Sequence, residues 1–315
     1  MEDVVKYGTN TLGGVFGWWC IHPFSVLSVQ MNLMNESNAK LQGVKKLAKP
    51  PSMWKYATES ISSRGFASLY AGVGAGTARQ VFYTTSRLGL FEKFSDILSE
   101  HRQVGGLERV GIGLTSGALA AVISCPAEVS LVRMSNDAAL PAGERRGYKN
   151  VMDCAVRVAK EEGVTAYWRG CMPFVQRAMI VGVCQVATFQ QSKDFYSRSL
   201  GIKHNGLANV FCSAFTSGLI YSLVTMPWES AKNRMAMQKP APDGTLPYKS
   251  TFQTMRKVAS TEGTLALWNG FLPYFCRCGG HTVCMFFFVS QLRKLYTSDI
   301  AMQVKKGTRQ QIRDS

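Results

Sequence analysis

A short motif that begins with proline occurs three times in this chain, about one hundred residues apart. In the copy Met226–Arg234, a carboxylate follows the proline by two residues, a lysine by five and an arginine by seven. Cys125–Arg133 keeps this order with Leu131 in place of the lysine, whereas His22–Gln30 keeps the proline without the charges. The three prolines are separated by 103 and 101 residues. Such a period predicts three copies of one structural unit.

A second motif has the same period. An acidic residue and a glycine precede an aromatic residue, a variable residue and a second glycine. The copies are Glu162-Gly163 with Trp168-Arg169-Gly170, Glu262-Gly263 with Trp268-Asn269-Gly270 and, in a degenerate form, Arg64-Gly65 with Tyr70-Ala71-Gly72. Because both motifs occur in register, we expect three homologous units at residues 1–103, 104–204 and 205–296, followed by a polar C-terminal tail at 297–315.

Six stretches of low charge are long enough to cross a membrane as helices, which takes about 20 residues. They lie near residues 9–31, 73–98, 110–132, 172–193, 206–235 and 271–292, two in each unit. Pro23, Pro126 and Pro227 are expected to kink the first helix of each unit near its end. The pattern predicts an all-α membrane protein, with six transmembrane helices in three homologous helix–loop–helix repeats around a pseudo-threefold axis.

The chain carries a formal net charge of +16, and this sign narrows the choice of partners. Nucleic acid is one candidate partner for a basic chain, but the sequence contains no basic helix or aromatic-basic module that would bind it. Anionic lipid and an anionic substrate explain the charge better, because they are also compatible with the apolar stretches. The nine cysteines form no Cys-x-x-Cys pair, so we predict neither a metal site nor a cofactor.

Three arginines lie within the predicted membrane helices at equivalent positions. Arg79, Arg177 and Arg277 each follow the last glycine of the second motif by seven residues. A charge at bilayer depth is costly, so each of these side chains must face protein or water. Arg79, Tyr83 and Arg87 also share one face of a helix, along about 12 Å. Such a face suits a ligand with two carboxylates. Snorkelling, or structural pairing of the arginines with helix carbonyls, is the alternative.

Together these motifs resemble the mitochondrial carrier family, whose pattern is Pro-x-Asp/Glu-x-x-Lys/Arg-x-Lys/Arg followed by the glycine motif in each repeat. The resemblance covers roughly residues 7–296. It implies that a substrate binds midway down a central cavity, at positions that correspond to Arg79, Tyr83, Arg87, Arg177, Gln185 and Arg277. It also implies a matrix gate, at positions that correspond to Glu128, Arg133, Glu229, Lys232 and Arg234.

The same resemblance implies how the gate residues pair. In the family, the acid of one repeat meets the base five residues past the proline of the next repeat, in cyclic order. Applied to this chain, Glu128 meets Lys232. Glu229 faces Ser28 and is left with a weak partner, with Arg234 as a further cation nearby. The third contact lacks both charges.

Within the family, the chain is most similar to members that exchange 2-oxoglutarate for malate, through stretches such as Arg87-Leu88-Gly89, Arg145–Asn150 and His281–Val283. The implied function is exchange of 2-oxoglutarate for malate or related dicarboxylates by alternating access. Other small anions (succinate, malonate or phosphate) and uncoupler-like proton transport are alternatives, as is a membrane adaptor that does not transport. We do not expect an enzyme, because no nucleophile–base pair or phosphate-binding glycine loop is visible.

The resemblance further implies a location in the mitochondrial inner membrane. An even number of spans places both termini on one side. The basic loops at 36–72, 137–170 and 238–270 are expected to face the more negative compartment, the matrix. Both termini would then face the intermembrane space. We expect membrane lipid, including cardiolipin, as a partner, and a functional monomer.

Overall fold

The computed structural model describes residues 2–42, 52–100, 105–140, 143, 145–204, 206–238 and 245–314. This part of the chain contains nine α-helices, three short 3₁₀ helices and no β-strand. The α-helices are α1 (Glu2–Gln42), α2 (Met53–Arg64), α3 (Val73–Ser99), α4 (Gly106–Asp137), α5 (Val151–Glu162), α6 (Cys171–Leu200), α7 (Leu207–Met237), α8 (Thr251–Thr261) and α9 (Phe271–Asp314). The 3₁₀ helices are Phe66–Tyr70, Val164–Trp168 and Thr264–Trp268.

The same order of elements occurs three times: a long helix, a short helix, a 3₁₀ helix and a second long helix. This order confirms the three helix–loop–helix repeats that the sequence predicts. The short helices begin at capping side chains, which satisfy backbone N–H groups of the first turn. Asn150 Oδ1 accepts from Asp153 N at 2.8 Å, and Ser250 Oγ accepts from Gln253 N at 3.3 Å.

Two long helices extend further than the sequence predicts. α1 begins at Glu2 and continues to Gln42, and α9 continues to Asp314, so the predicted polar tail is helical up to that residue. No proline follows Pro273, and Ala, Met, Gln, Lys and Arg, all good helix formers, are frequent near the end of α9. Nothing in the sequence therefore ends α9 earlier.

Some of the sequence predictions concern parts of the chain outside the described residues. Residues 43–51 of the first predicted basic loop belong to these parts, and so do 239–244 of the third. The expected unit boundary at 103 lies within residues 101–104, and the one at 204 is next to residue 205; these residues also lie outside the described part. The boundaries therefore stay predictions.

The six long helices form a closed ring. Within each repeat the two long helices are neighbours: α1 with α3, α4 with α6, and α7 with α9. Between repeats the contacts are more extensive, and they join α3 to α4, α6 to α7, and α9 back to α1. The ring therefore closes through contact between the first repeat and the last, as a pseudo-threefold arrangement requires.

Three glycines show the cyclic symmetry directly. Gly72, Gly170 and Gly270 precede α3, α6 and α9 in left-handed conformations, with φ of 76°, 86° and 80°. A Cβ atom added to them would lie 3.4, 2.9 and 2.9 Å from a carbonyl oxygen of the next repeat. These oxygens belong, respectively, to Leu131, Lys232 and Ser28. Each of the three is five residues past its repeat's proline, so the same contact occurs three times in rotation.

Four of the long helices are apolar enough and long enough to cross a membrane, within Gly8–Met34, Glu108–Asp137, Val164–Leu200 and Ala208–Met237. The ring exposes large apolar side chains on its outside, such as Ile123 and Phe211, as helices in contact with lipid do. The remaining long helices, α3 and α9, carry more polar residues, including Arg79 and Arg277.

The three motif prolines lie inside helices rather than at their ends. Pro23 lies in α1, Pro126 in α4 and Pro227 in α7, and each helix continues for ten residues or more after its proline. A kink at these prolines therefore stays a prediction from the missing backbone N–H.

Replacing Gly170 with alanine should destabilise the protein more than the matched change Gly163→Ala. Both glycines have positive φ, 86° and 83°, so each change adds a similar backbone strain of about 1–2 kcal/mol. At Gly170 the new Cβ atom would lie 2.9 Å from the Lys232 carbonyl oxygen, whereas the space around Gly163 is open. The melting temperatures of both variants in detergent measure the difference. Equal losses would show that the approach of α6 to α7 is not tight.

Candidate functional site

Six charged side chains meet in one buried cluster between the long helices. This central ion cluster comprises Arg79, Glu128, Arg177, Glu229, Lys232 and Arg277. The side chains come from five of the six long helices, so the cluster exists only when the ring is closed. Four cations face two carboxylates, which leaves an excess of two positive charges.

Lys232 lies at the centre of the cluster. Its Nζ contacts Glu128 Oε1 of α4 and donates to Glu229 Oε1, one turn away on α7, at 2.7 Å. The expected pair between Glu128 and Lys232 is therefore present. The expectation that Glu229 faces Ser28 with a weak partner is wrong. The Ser28 hydroxyl reaches the Gly270 carbonyl oxygen at 3.5 Å instead.

Each of the three equivalent arginines contacts one of the two carboxylates. Arg79 Nε lies 3.4 Å from Glu128 Oε2. Arg177 Nε lies 3.0 Å from Glu229 Oε2, and Arg277 Nη2 donates to Glu229 Oε1 at 3.3 Å. Three of the residues expected to bind substrate and three of those expected to form the gate are thus one connected group, which the sequence did not predict.

Two of the expected gate residues lie outside this cluster. Arg133 forms a bidentate pair with Glu162 at 2.6 and 2.9 Å, and Arg234 forms one with Glu262 at 2.5 and 2.8 Å. The expectation that Arg234 supports Glu229 is therefore wrong. The reason is helical geometry, because a residue two positions past Lys232 points about 200° away from it around the helix.

The first repeat replaces both members of this bidentate pair. Gln30 stands where the other repeats have arginine, and Arg64 stands where they have glutamate. Gln30 Nε2 donates to the Ser135 carbonyl oxygen at 2.8 Å. Arg64 Nη1 donates to the Ala138 carbonyl oxygen at 3.1 Å, at the C-terminal end of α4, where a cation is favoured. Because both members of the pair are replaced, no buried carboxylate is left unpaired at this position.

Three aromatic rings lie against the cations of the cluster. Arg79 Cζ lies 4.4 Å from the centroid of the Trp18 ring, and Lys232 Nζ lies 5.7 Å from that of Phe174. The Tyr274 ring contacts two cations. Its centroid lies 4.9 Å from Arg277 Cζ and 5.6 Å from Arg177 Cζ. Such contacts stabilise a cation most where water is excluded.

These rings were not predicted from the sequence, although two of them occupy equivalent positions in their repeats. Phe174 and Tyr274 each follow the last glycine of the second motif by four residues. The first repeat has Gly76 at that position, and Trp18 of α1 fills the space. A Cβ atom on Gly76 would lie 2.1 Å from Trp18 Nε1. Only the packing of α1 against α3 shows that Trp18 replaces the missing ring.

The Tyr274 hydroxyl holds one arginine in place. It accepts from Arg177 Nε at 3.0 Å and forms a second hydrogen bond of 2.9 Å with Thr225 Oγ1. Tyr274 is fully buried, so both hydrogen bonds are shielded from water. A neutral phenol bonded this way fixes the direction of the Arg177 guanidinium.

The other expected substrate-binding residues lie further along the helices. Arg87 is exposed, with Cζ 6.0 Å from the centroid of the half-buried Tyr83 ring. The Gln185 side chain is exposed. The backbone carbonyl oxygen of Gln185 accepts from Ser217 Oγ at 3.1 Å. The structure does not bring these three residues into the central ion cluster. In the described residues, no group of three or more His, Cys, Asp or Glu side chains has metal-binding geometry.

A family model described as mitochondrial carrier protein matches residues 5–102, 103–200 and 203–299. The chain belongs to the mitochondrial carrier family. It is therefore a multi-pass protein of the mitochondrial inner membrane, and a carrier rather than an enzyme. The three matched segments coincide with the three structural repeats, and together they cover almost the whole chain.

Several relatives are similar to this carrier over nearly its full length. The mitochondrial 2-oxoglutarate/malate carrier protein of Mus musculus is 37% identical over 294 residues, 93% of this chain and 91% of the relative. The protein of the same name from Caenorhabditis elegans is 34% identical over 300 residues, 94% of each chain. A probable mitochondrial 2-oxoglutarate/malate carrier protein of Dictyostelium discoideum is 34% identical over 296 residues, 94% of this chain and 91% of the relative.

Tyr274→Phe should lower the stability of the carrier, because it removes a buried hydroxyl that accepts from Arg177 and leaves the ring in place. A hydrogen bond to a charged group contributes about 1.5–3 kcal/mol. Tyr83→Phe is the matched control, since the described residues provide no hydrogen-bond partner for the Tyr83 hydroxyl. Melting temperatures in detergent test this. A loss no larger for Tyr274→Phe than for Tyr83→Phe would contradict it.

The Glu162 carboxylate should make the carrier sensitive to acid. Burial raises its pKa, but hydrogen bonds from Arg133 and Arg146 outweigh burial, so the pKa lies below its ordinary value. A lowered pKa stabilises the folded state above the unfolded-state pKa of about 4.3, and this contribution is lost as the pH falls further. Glu162→Gln lacks the titrating group. Melting temperatures of the wild type should therefore fall more steeply below about pH 4.3 than those of Glu162→Gln, and parallel curves would refute the assignment.

Proposed function

We propose that this carrier exchanges 2-oxoglutarate for malate, or for related dicarboxylates, across the mitochondrial inner membrane by alternating access. The observation that carries the proposal is the excess of two positive charges in the central ion cluster. A buried net charge is costly unless it is paired, so the cluster favours a ligand that brings two negative charges. The similarity to the 2-oxoglutarate/malate carrier proteins of Mus musculus and Caenorhabditis elegans supports a 2-oxoglutarate/malate pair in particular.

Arg79, Arg177 and Arg277 are the proposed anchors for the substrate carboxylates. A guanidinium can pair with a carboxylate through two parallel hydrogen bonds, which fixes position as well as charge. Arg79 comes from α3, Arg177 from α6 and Arg277 from α9, so a short dianion can bridge two helices. Tyr83, Arg87 and Gln185 lie further along α3 and α6 and extend the polar path.

The cluster also acts as the proposed matrix gate. Lys232 joins α4 and α7 through Glu128 and Glu229, and all three side chains are buried. The exposure of Arg87 and Gln185, further along α3 and α6, supports a state that is open on the opposite side. A substrate that binds both openings, and the closed state between them most strongly, drives the alternation.

The basic loops and the closed ring support the proposed membrane orientation, lipid contact and monomeric state. The basic loops favour a matrix side at the C-terminal ends of α1, α4 and α7, which places both termini in the intermembrane space. Their charge also suits contact with anionic lipid, cardiolipin included. A single chain supplies the whole ring and every residue of the cluster, which supports a functional monomer. A non-transporting adaptor would gain nothing from this buried charge.

Exchange measured in liposomes preloaded with 2-oxoglutarate or malate tests the proposal. Arg79→Ala, Arg177→Ala and Arg277→Ala should each weaken substrate affinity about ten- to hundredfold, because each removes a charge-assisted hydrogen bond. Arg145→Ala is the control, because it removes an exposed guanidinium outside the ring. Wild-type exchange by the three folded variants would refute the binding site. Equally fast exchange of monocarboxylates would refute the charge argument.

A further inference from the structure

We infer that Glu229 is a built-in competitor of the substrate. In the empty carrier its carboxylate occupies Arg177 and Arg277, and a substrate carboxylate must displace it in order to bind. This inference rests on the proposed function, because it assigns to these two arginines the carboxylate of a transported dianion. It gives Glu229 a part in substrate selection in addition to its part in closing the gate.

The position of Glu229 is the first reason. Its α7 helix lies between α6 and α9 in the ring, and the carboxylate reaches an arginine from each of them. Oε2 lies 3.0 Å from Arg177 Nε, and Oε1 lies 3.3 Å from Arg277 Nη2. One carboxylate between two guanidiniums is the arrangement that the end of a dicarboxylate substrate would adopt.

The imperfect fit of Glu229 is the second reason. Arg177 directs its Nε–H to the Tyr274 hydroxyl, so Glu229 Oε2 is buried and accepts no hydrogen bond from the described residues. Arg277 Nε is also buried and has no hydrogen-bond acceptor in the same part of the chain. Buried polar atoms without partners are costly. A free ligand can rotate into the bidentate geometry that the Glu229 side chain, tied to α7, does not reach.

Displacement also links binding to the gate. Glu229 Oε1 accepts from both Lys232 and Arg277. Once a substrate takes the arginine, Glu229 keeps Lys232 as its cationic partner. Lys232 is the side chain that joins α7 to Glu128 of α4. A stronger pull from Glu229 on Lys232 weakens that connection, so an occupied carrier opens its matrix side more easily than an empty one.

The opposite role for Glu229 would be to hold the arginines ready for the substrate. The two roles predict opposite signs for one substitution. If Glu229 competes, Glu229→Gln frees both arginines and tightens binding of the dianion. If Glu229 positions the arginines, the same change loosens binding.

The experiment measures binding of 2-oxoglutarate to the purified carrier by calorimetry, together with exchange in liposomes. Glu229→Gln should bind 2-oxoglutarate roughly tenfold more tightly than the wild type. Glu128→Gln is the charge-matched control, because it removes the same charge from the same cluster but frees only Arg79 and leaves Arg177 and Arg277 in contact with Glu229. A gain clearly smaller than that of Glu229→Gln is expected for it, since the added net charge acts equally in both variants and only one arginine is released instead of two.

Equal gains in the two variants would overturn the inference, because net charge would then explain both. Weaker binding by Glu229→Gln would show a positioning role instead. If that variant does not fold, Glu229→Asp keeps the charge but shortens the side chain, and the inference again expects tighter binding. A wild type that neither binds nor exchanges 2-oxoglutarate or malate would refute the proposed function, whereas a working wild type without the gain in Glu229→Gln refutes only the competitor role.

Discussion

The central ion cluster holds an excess of positive charge inside a ring whose outer surface is apolar, and the rest of the structure depends on this constraint. Charge at this depth is tolerated only where protein groups surround it, so the six long helices must close around it. The two carboxylates and three aromatic rings offset part of the cost of burial. The remaining excess of positive charge is what the proposed dianionic substrate would neutralise. The same charges would then affect both the stability of the empty ring and its selectivity for a substrate.

The ring itself is nearly symmetric, but the charges on it are not. Gly72, Gly170 and Gly270 allow the same close approach between repeats three times in rotation. On this scaffold the second and third repeats supply both carboxylates and Lys232, whereas the first supplies Arg79 and the neutral residues Ser25 and Ser28. Where the first repeat lacks these charges, the close approach of Gly270 to Ser28 and the buried Trp18 ring provide packing.

The proposed substrate-binding residues and the proposed gate residues are not separate sets in this network. Arg177 and Arg277 contact the carboxylate that also contacts Lys232, so under the proposed function a ligand bound to the arginines would act on the gate directly. By contrast, Arg133 and Arg234 join the long helices to the short elements that follow them, through Glu162 and Glu262. Those pairs connect elements within the second and third repeats, and they lie outside the central ion cluster.

The sequence alone determined the triplication, the helical class and the equivalent level of the three arginines, because periods and spacings along a helix translate directly into position. The pair between Glu128 and Lys232 was implied by the resemblance to the family and is present in the structure. The sequence did not determine which oppositely charged side chains form ion pairs. The partner of Glu229 depends on how far α6 and α9 bring their arginines inward, and Trp18 replaces the ring missing at Gly76 only because α1 packs beside α3. These contacts form between helices that are far apart in sequence. Several oppositely charged groups are possible partners by sequence, and only the distances and packing in the tertiary structure determine which of them pair.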